Sequence, residues 1–172
     1  KWTDERYFDL DKVLATFGNM PGEMIDYGAR ALKPVENYVS SYLKLFDNAD
    51  DPQAVEAWHA MNTWMTDLVP IAGGAFRQLI DDLYRNNRLI KGEFVLRGER
   101  VDLARIKANL LNVIATADHI TPACQSESVM AKVSSTDKEL IRIKGGHIGI
   151  MAGGQATRTW PLIDAWLAAR SK

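Results

Sequence analysis

The chain has 172 residues, of which 47% are hydrophobic and 25% are charged, and its formal net charge is −1. This is the composition of an ordinary globular protein with a core, and it gives no electrostatic reason to expect a nucleic acid or an anionic membrane as partner. No apolar stretch approaches the roughly 20 residues that a transmembrane helix needs, so no membrane span is expected.

The first seventy residues are predicted to be helical and rich in aromatic side chains. Helices are expected over 22–32, over 34–46 behind Pro34, and over 52–65 with Asp51 as the N-cap. Apolar residues of the third helix recur three or four positions apart, which is more typical of a core face than of a binding face. This stripe consists of Ala54, Ala57, Trp58, Met61 and Met65, and Trp64 is expected to widen it.

From residue 71 onwards the sequence alternates between strand and helix patterns. A helix is predicted over 75–88, a short strand over 94–96 with a turn at 97–100, and a strand covered on both faces over 110–115. A helix over 123–133, a strand over 139–143 and an amphipathic helix over 157–169 follow. This order predicts an α/β fold with parallel strands and crossover helices, in which 1–70 form a helical lid or cap and 71–172 form the part of the core that carries the site.

An acid and a histidine follow the two late strands. Asp118 comes immediately after the run that ends Ile114-Ala115-Thr116-Ala117, and His147 comes four residues after Ile143. Because the carboxyl ends of parallel strands meet at one edge of a sheet, we expect both side chains there. An acid that orients a histidine base is two thirds of a nucleophilic triad. The glycines at 145, 146 and 149 are expected to let the backbone bend sharply around the ring.

The residues alone leave a second interpretation with equal weight. An aspartate at a strand end often caps the next helix, and a histidine in a glycine turn is often a surface residue. His119 is expected to shape its loop and not to take part in catalysis. A metal site built from Asp118, His119 and His147 is not expected, because no closely spaced His/Cys pair supports one.

Longer motifs favour the catalytic interpretation. They are Ala-Phe-Arg-Gln-Leu at 75–79, Asn-Arg-Leu-Ile-Lys-Gly-Glu-Phe at 87–94, Val-Asp-Leu at 101–103, Asp-His-Ile-Thr-Pro at 118–122 and Gly-Gly-His-Ile-Gly at 145–149. In this order they resemble the carboxy-terminal half of polyhydroxyalkanoate synthases. The Gly-His-Ile-Gly form is most similar to the two-subunit (class III/IV) synthases.

The resemblance implies the carboxy-terminal portion of an α/β-hydrolase-fold acyltransferase that polymerises 3-hydroxyacyl-CoA and releases CoA, with a Cys-His-Asp triad and no cofactor. On its motifs, His147 matches the catalytic histidine and Asp118 the catalytic aspartate. It also implies a cytoplasmic parent protein at the surface of storage granules. Its expected partners are the growing polyester, a second copy of the protein and an accessory synthase subunit.

The nucleophile of that family is not found in this sequence. Neither Gly-x-Cys-x-Gly nor Gly-x-Ser-x-Gly occurs, and the single cysteine, Cys124, follows the acid, which is the wrong order. Cys124 is instead expected to be a small, half-buried helix residue. The chain starts at Lys1 and has no signal-peptide pattern. We therefore expect a fragment of a longer cytoplasmic enzyme that is inactive alone.

Two other functions remain open on the sequence. A general cytosolic esterase or thioesterase would transfer the acyl group to water and would carry a serine as nucleophile. A truncated chain without catalysis would serve only as an assembly or granule-binding piece.

Overall fold

A computed structural model describes residues 3–171, with residues 36–38 described in their backbone only. About half of the chain is helical and it contains a short parallel strand pair, so the mixed α/β class is confirmed. The chain divides into two compact units, Lys1–Asn86 and Asn87–Lys172. The division into a lid over 1–70 and a core part over 71–172 stays a prediction, and its terminal residues 1, 2 and 172 lie outside the described residues.

The first unit is built from helices. They are α1 (Leu10–Phe17), α2 (Gly22–Arg30), a π-helical segment (Val35–Ser40) that continues as α3 (Ser41–Asp47), α4 (Pro52–Thr66), and α5 (Gly73–Gln78), which continues as a second π-helical segment (Leu79–Arg85). The predicted helices are present here with shifted ends. The Asp51 carboxylate accepts a hydrogen bond from the Gln53 N–H at 2.9 Å and caps α4 as expected.

The core of the first unit lies between its early helices and α5, not along α4. Leu10, Met20, Phe76 and Ile80 are buried together there. The predicted stripe on α4 is wrong as a core face, because Trp58 and its apolar neighbours are only half-buried and Ala57 is exposed. Trp64 is 61% exposed and does not extend the stripe inward. A helical period identifies the apolar side of a helix but not how deeply that side is covered.

The second unit contains the parallel strands. It begins with α6 (Arg88–Lys91) and the hairpin β1 (Val95–Leu96) and β2 (Glu99–Arg100). A 3₁₀ turn (Leu103–Arg105) leads to β3 (Leu110–Ala115), then α7 (Ala123–Glu127), another 3₁₀ turn (Ser128–Ala131), β4 (Lys138–Ile143) and α8 (Ala156–Ala168). The helix predicted over 123–133 is therefore an α-helical turn that tightens into 3₁₀ geometry.

Strands β3 and β4 pair in parallel, from Leu110 opposite Lys138 to Ala115 opposite Ile143. The parallel pairing with a helical crossover confirms the prediction. Burial is greatest at the carboxyl ends of the strands, where Ala115 and Ile143 pack with Ile150. Ile114 is buried as well, whereas residues 110–113 of β3 are half-buried, so full cover on both faces was predicted wrongly for that part.

Within residues 3–171, no helix combines the length and the apolar character that crossing a lipid bilayer would require.

Candidate active site

The two loops that follow β3 and β4 are held together by backbone hydrogen bonds. The Thr116 N–H donates to the carbonyl of Ile143 at 2.9 Å, and the Ala117 N–H donates to the carbonyl of Gly145 at 2.9 Å. The parallel ladder thus extends past the last paired residues of both strands. This extension brings the loop that carries Asp118 directly beside the loop that carries His147.

Asp118 and His147 are in hydrogen-bond contact. Nδ1 of His147 lies 2.7 Å from Oδ2 of Asp118. The side chain of Asp118 is only 6% exposed, whereas that of His147 is 42% exposed. The acid is therefore enclosed by protein, and the ring reaches from it towards the solvent-accessible side of the loop, which is the arrangement that an oriented base requires.

The Asp118 carboxylate is saturated with donors. Its Oδ1 accepts from the backbone N–H groups of Ile120 at 2.8 Å and Thr121 at 2.9 Å. Its Oδ2 accepts from the Thr121 hydroxyl at 2.8 Å in addition to the ring of His147. Burial raises the pKa of Asp118, but the hydrogen bonds from His147, Thr121 and Ile120 outweigh burial and lower it to about 2. The carboxylate is ionised at neutral pH.

An ionised carboxylate determines which nitrogen of the ring carries the proton. Asp118 can only accept hydrogen bonds, so Nδ1 of His147 must be the donor in their 2.7 Å contact. In the neutral ring, Nε2 then has a free lone pair. This tautomer follows from the hydrogen-bond network. The pair can therefore take a proton at Nε2, and the adjacent negative charge stabilises the resulting imidazolium.

A cavity of about 290 Å³ opens beside the pair. Asp118, Thr121, Ser126 and His147 contribute its polar lining. Its apolar lining comes from Val113, Ile114, Ala115, Ile150 and Met151. A cleft that combines an acid–base group with apolar side chains has a composition that suits a small organic substrate.

The backbone around His147 bends as predicted, at residues 144 and 145, and turns over 147–150. Among the described residues, left-handed glycines occur at 18, 92 and 98, so neither Gly145, Gly146 nor Gly149 supplies a sharp bend through positive φ. Space at Gly145 is tight, because a Cβ there would lie 3.0 Å from Cγ2 of Ile150. Gly146 has no such neighbour within 4 Å.

The remaining residues that the sequence singled out lie apart from this contact. His119 is half-buried, and the two side chains near Nδ1 of His147 are those of Asp118 and Thr121. Cys124, the second residue of α7, is exposed, so its predicted half-burial is wrong. It does not line the cavity. Among the described residues, no three His, Cys, Asp or Glu side chains are grouped in a way that could hold a metal ion.

Thr121 is the site residue that sequence reasoning missed. It belongs to the Asp-His-Ile-Thr-Pro segment at 118–122, but a threonine three residues after an aspartate is also an ordinary turn residue. Its hydroxyl lies within hydrogen-bond distance of both members of the pair, at 2.8 Å from Asp118 Oδ2 and 3.3 Å from His147 Nδ1. Only the folded loops reveal this arrangement.

Comparison with known proteins identifies relatives along the whole chain. It is 35% identical over 173 residues to the poly(3-hydroxyalkanoate) polymerase subunit PhaC of Haloferax mediterranei, a match that covers 100% of this chain and 35% of the relative. It is 37% identical over 163 residues to the PhaC subunit of Allochromatium vinosum, covering 94% of this chain and 46% of the relative. The PhaC subunit of Synechocystis sp. is 30% identical over 164 residues, with 94% and 43% covered.

The matched stretch is the carboxy-terminal part of these relatives. The chain therefore spans between about a third and a half of the length of the curated relatives that it matches. No protein-family model matches the chain.

Proposed function

This chain belongs to the poly(3-hydroxyalkanoate) polymerase family, and from that premise we propose that it supplies the acid–base half of the active site of such a polymerase. The observation that carries the proposal is the 2.7 Å contact between a buried, ionised Asp118 and the accessible ring of His147. In this proposal His147 is the general base and Asp118 orients it.

The proposed reaction uses the ring twice. Nε2 of His147 takes the proton of a cysteine thiol, and the thiolate attacks the carbonyl carbon of a 3-hydroxyacyl-CoA thioester. The carbon–sulfur bond to CoA breaks, and the CoA thiolate leaves with the proton from the imidazolium. The base then takes the proton of a hydroxyl group on a second hydroxyacyl unit, whose oxygen attacks the enzyme-bound thioester. An ester bond forms, the carbon–sulfur bond to the cysteine breaks, and the leaving thiolate takes the proton back from the imidazolium.

The cysteine nucleophile of this proposal comes from a part of the polymerase outside these 172 residues. Two observations on Cys124 support this: it is exposed, and it does not line the cavity beside His147. The proposal requires no cofactor beyond the CoA thioester substrate. Its further elements are the growing polyester, a homodimer and an accessory subunit as partners, and a cytoplasmic location at granule surfaces.

The finer fold assignment is part of the same proposal. The parallel β3–β4 pair with its helical crossover supports an interpretation as late strands of an α/β-hydrolase sheet, with the acid after one strand and the histidine after the next. The helical character of the first unit supports an interpretation of residues 1–70 as a lid or cap.

The test uses the protein expressed in its natural sequence context and supplied with 3-hydroxyacyl-CoA. CoA release is followed with a thiol reagent, and the product is separated into insoluble polyester and free 3-hydroxy acid. We expect polyester, and we expect His147→Gln to nearly abolish CoA release. His59→Gln, at an exposed histidine of α4, is the matched control and should keep wild-type turnover. Free hydroxy acid as the sole product would favour a thioesterase, and turnover by His147→Gln would refute the role of the ring.

A further inference from the structure

Thr121 makes three separate contacts with the acid–base pair. Its N–H donates to Asp118 Oδ1 at 2.9 Å, and its hydroxyl donates to Asp118 Oδ2 at 2.8 Å. The hydroxyl oxygen also lies 3.3 Å from Nδ1 of His147. One residue thus contacts both carboxylate oxygens and the ring. The N–H contacts of Ile120 and Thr121 alone account for a closed turn, so the hydroxyl is not needed to explain the loop.

The hydroxyl has a single proton, and the network determines where that proton lies. Asp118 is ionised and accepts only, so the Thr121 proton is directed at Oδ2. It is then not available to Nδ1 of His147, which carries its own proton towards the same oxygen. A lone pair of the hydroxyl oxygen is then directed at the N–H of Nδ1. Both neighbours of Nδ1 are therefore acceptors, and both favour the tautomer whose Nε2 is free.

The hydroxyl also determines the rotation of the carboxylate. Oδ1 is held by two backbone donors, and Oδ2 would be held by the ring alone if the hydroxyl were absent. With the hydroxyl present, Oδ2 has one donor on the same loop and one on the neighbouring loop. The carboxylate plane is then fixed independently of the ring, which lowers the conformational cost of orienting the ring.

We propose that Thr121 is a positioning residue for the proposed acyl transfer, which acts by fixing Asp118 and the tautomer of His147 through its hydroxyl group. This inference rests on the proposed function, since it requires His147 to be the base. It predicts that the hydroxyl affects the rate of the chemical step more than the binding of substrate.

The test compares Thr121→Val, which is nearly isosteric and lacks the hydroxyl, with Thr121→Ser, which keeps it. Hydrogen bonds to charged groups are stronger than those between neutral groups, so we expect the valine variant to lose about tenfold or more in kcat with KM nearly unchanged. The serine variant should restore most of kcat. Thr66→Val is the matched control, because its hydroxyl donates to the Asn62 carbonyl within α4 of the other unit, and it should keep wild-type kcat.

His147→Gln is assayed in parallel, so that failure of the positioning role can be distinguished from failure of the proposed function. If His147→Gln is inactive and Thr121→Val has wild-type kcat, the positioning role is refuted while the proposed function stands. If His147→Gln is active, the proposed function itself fails. If Thr121→Val does not fold, Thr121→Ala replaces it in the comparison with Thr121→Ser. Equal kcat for the alanine and serine variants would then refute the role of the hydroxyl.

Discussion

Replacement of Asp118 by asparagine changes the proton arrangement of the site while keeping its shape. The amide oxygen of Asn can still accept from the N–H groups of Ile120 and Thr121. Its NH₂ group then occupies the position of Oδ2. There its N–H donors point at the Thr121 hydroxyl and at Nδ1 of His147. The ring can satisfy such a donor only by accepting at Nδ1, which places its own proton on Nε2. The base would then present a proton where it needs a lone pair.

The pKa of Asp118 gives the contribution of the carboxylate to the stability of the fold. A carboxyl whose pKa falls from 3.8 to about 2 on folding contributes roughly 2 kcal/mol of stability at neutral pH. Because the pKa is lower in the folded state, this contribution is complete above the unfolded pKa and is lost as the pH falls from about 5 towards 2. For catalysis, the wrong tautomer in a triad costs about 10⁴ in kcat.

Two assays check these magnitudes. Titration of the ¹³C-labelled Asp118 carboxyl group by NMR should give a midpoint near 2. Asp118→Asn should lower kcat for CoA release by about three to four orders of magnitude. Asp164→Asn, at an exposed aspartate of α8, is the control and should leave kcat unchanged. A midpoint near 3.8 would show that the hydrogen-bond network does not exist in solution, and a mild effect on kcat would refute the tautomer argument.

Two further predictions concern the stability of the first unit. Gly73→Ala should lower the free energy of unfolding by about 1–3 kcal/mol in urea denaturation, because a Cβ there would clash with the carbonyl oxygen of Gly18. Gly74→Ala is its control, since a Cβ at residue 74 meets nothing within 4 Å, and equal stability of the two variants would contradict the close approach. Asp51→Ala should cost about 1 kcal/mol by removing the N-cap of α4, and an unchanged urea midpoint would show that the cap does not contribute.

The sequence was sufficient to predict that Asp118 and His147 meet. Each follows an apolar strand run by a few residues, and a helix-length segment separates the runs, so parallel pairing brings both loops to one edge. The cap at Asp51 was predictable for a similar reason, because an aspartate before Pro52 is a local signal that needs no tertiary information.

Other features depend on contacts that a linear pattern does not contain. Thr121 could not be found from the sequence, because its hydroxyl shares Oδ2 of Asp118 with the ring of His147, which lies in the loop after another strand. The tight space at Gly145 comes from Ile150, five residues further along the chain, whose Cγ2 would lie 3.0 Å from a Cβ at residue 145. The apolar stripe on α4 was misjudged because periodicity does not report how much of a helix face is covered by neighbours.

The most direct test of the central claim, that Asp118 and His147 act as one catalytic unit, is a double-mutant cycle on CoA release from 3-hydroxyacyl-CoA. It requires Asp118→Asn, His147→Gln and the protein with both changes, each in its natural sequence context. Residues that act as a unit are strongly non-additive. We therefore predict that the double variant is no slower than His147→Gln alone. Losses that multiply across the two changes would show that the residues act independently and would contradict the account.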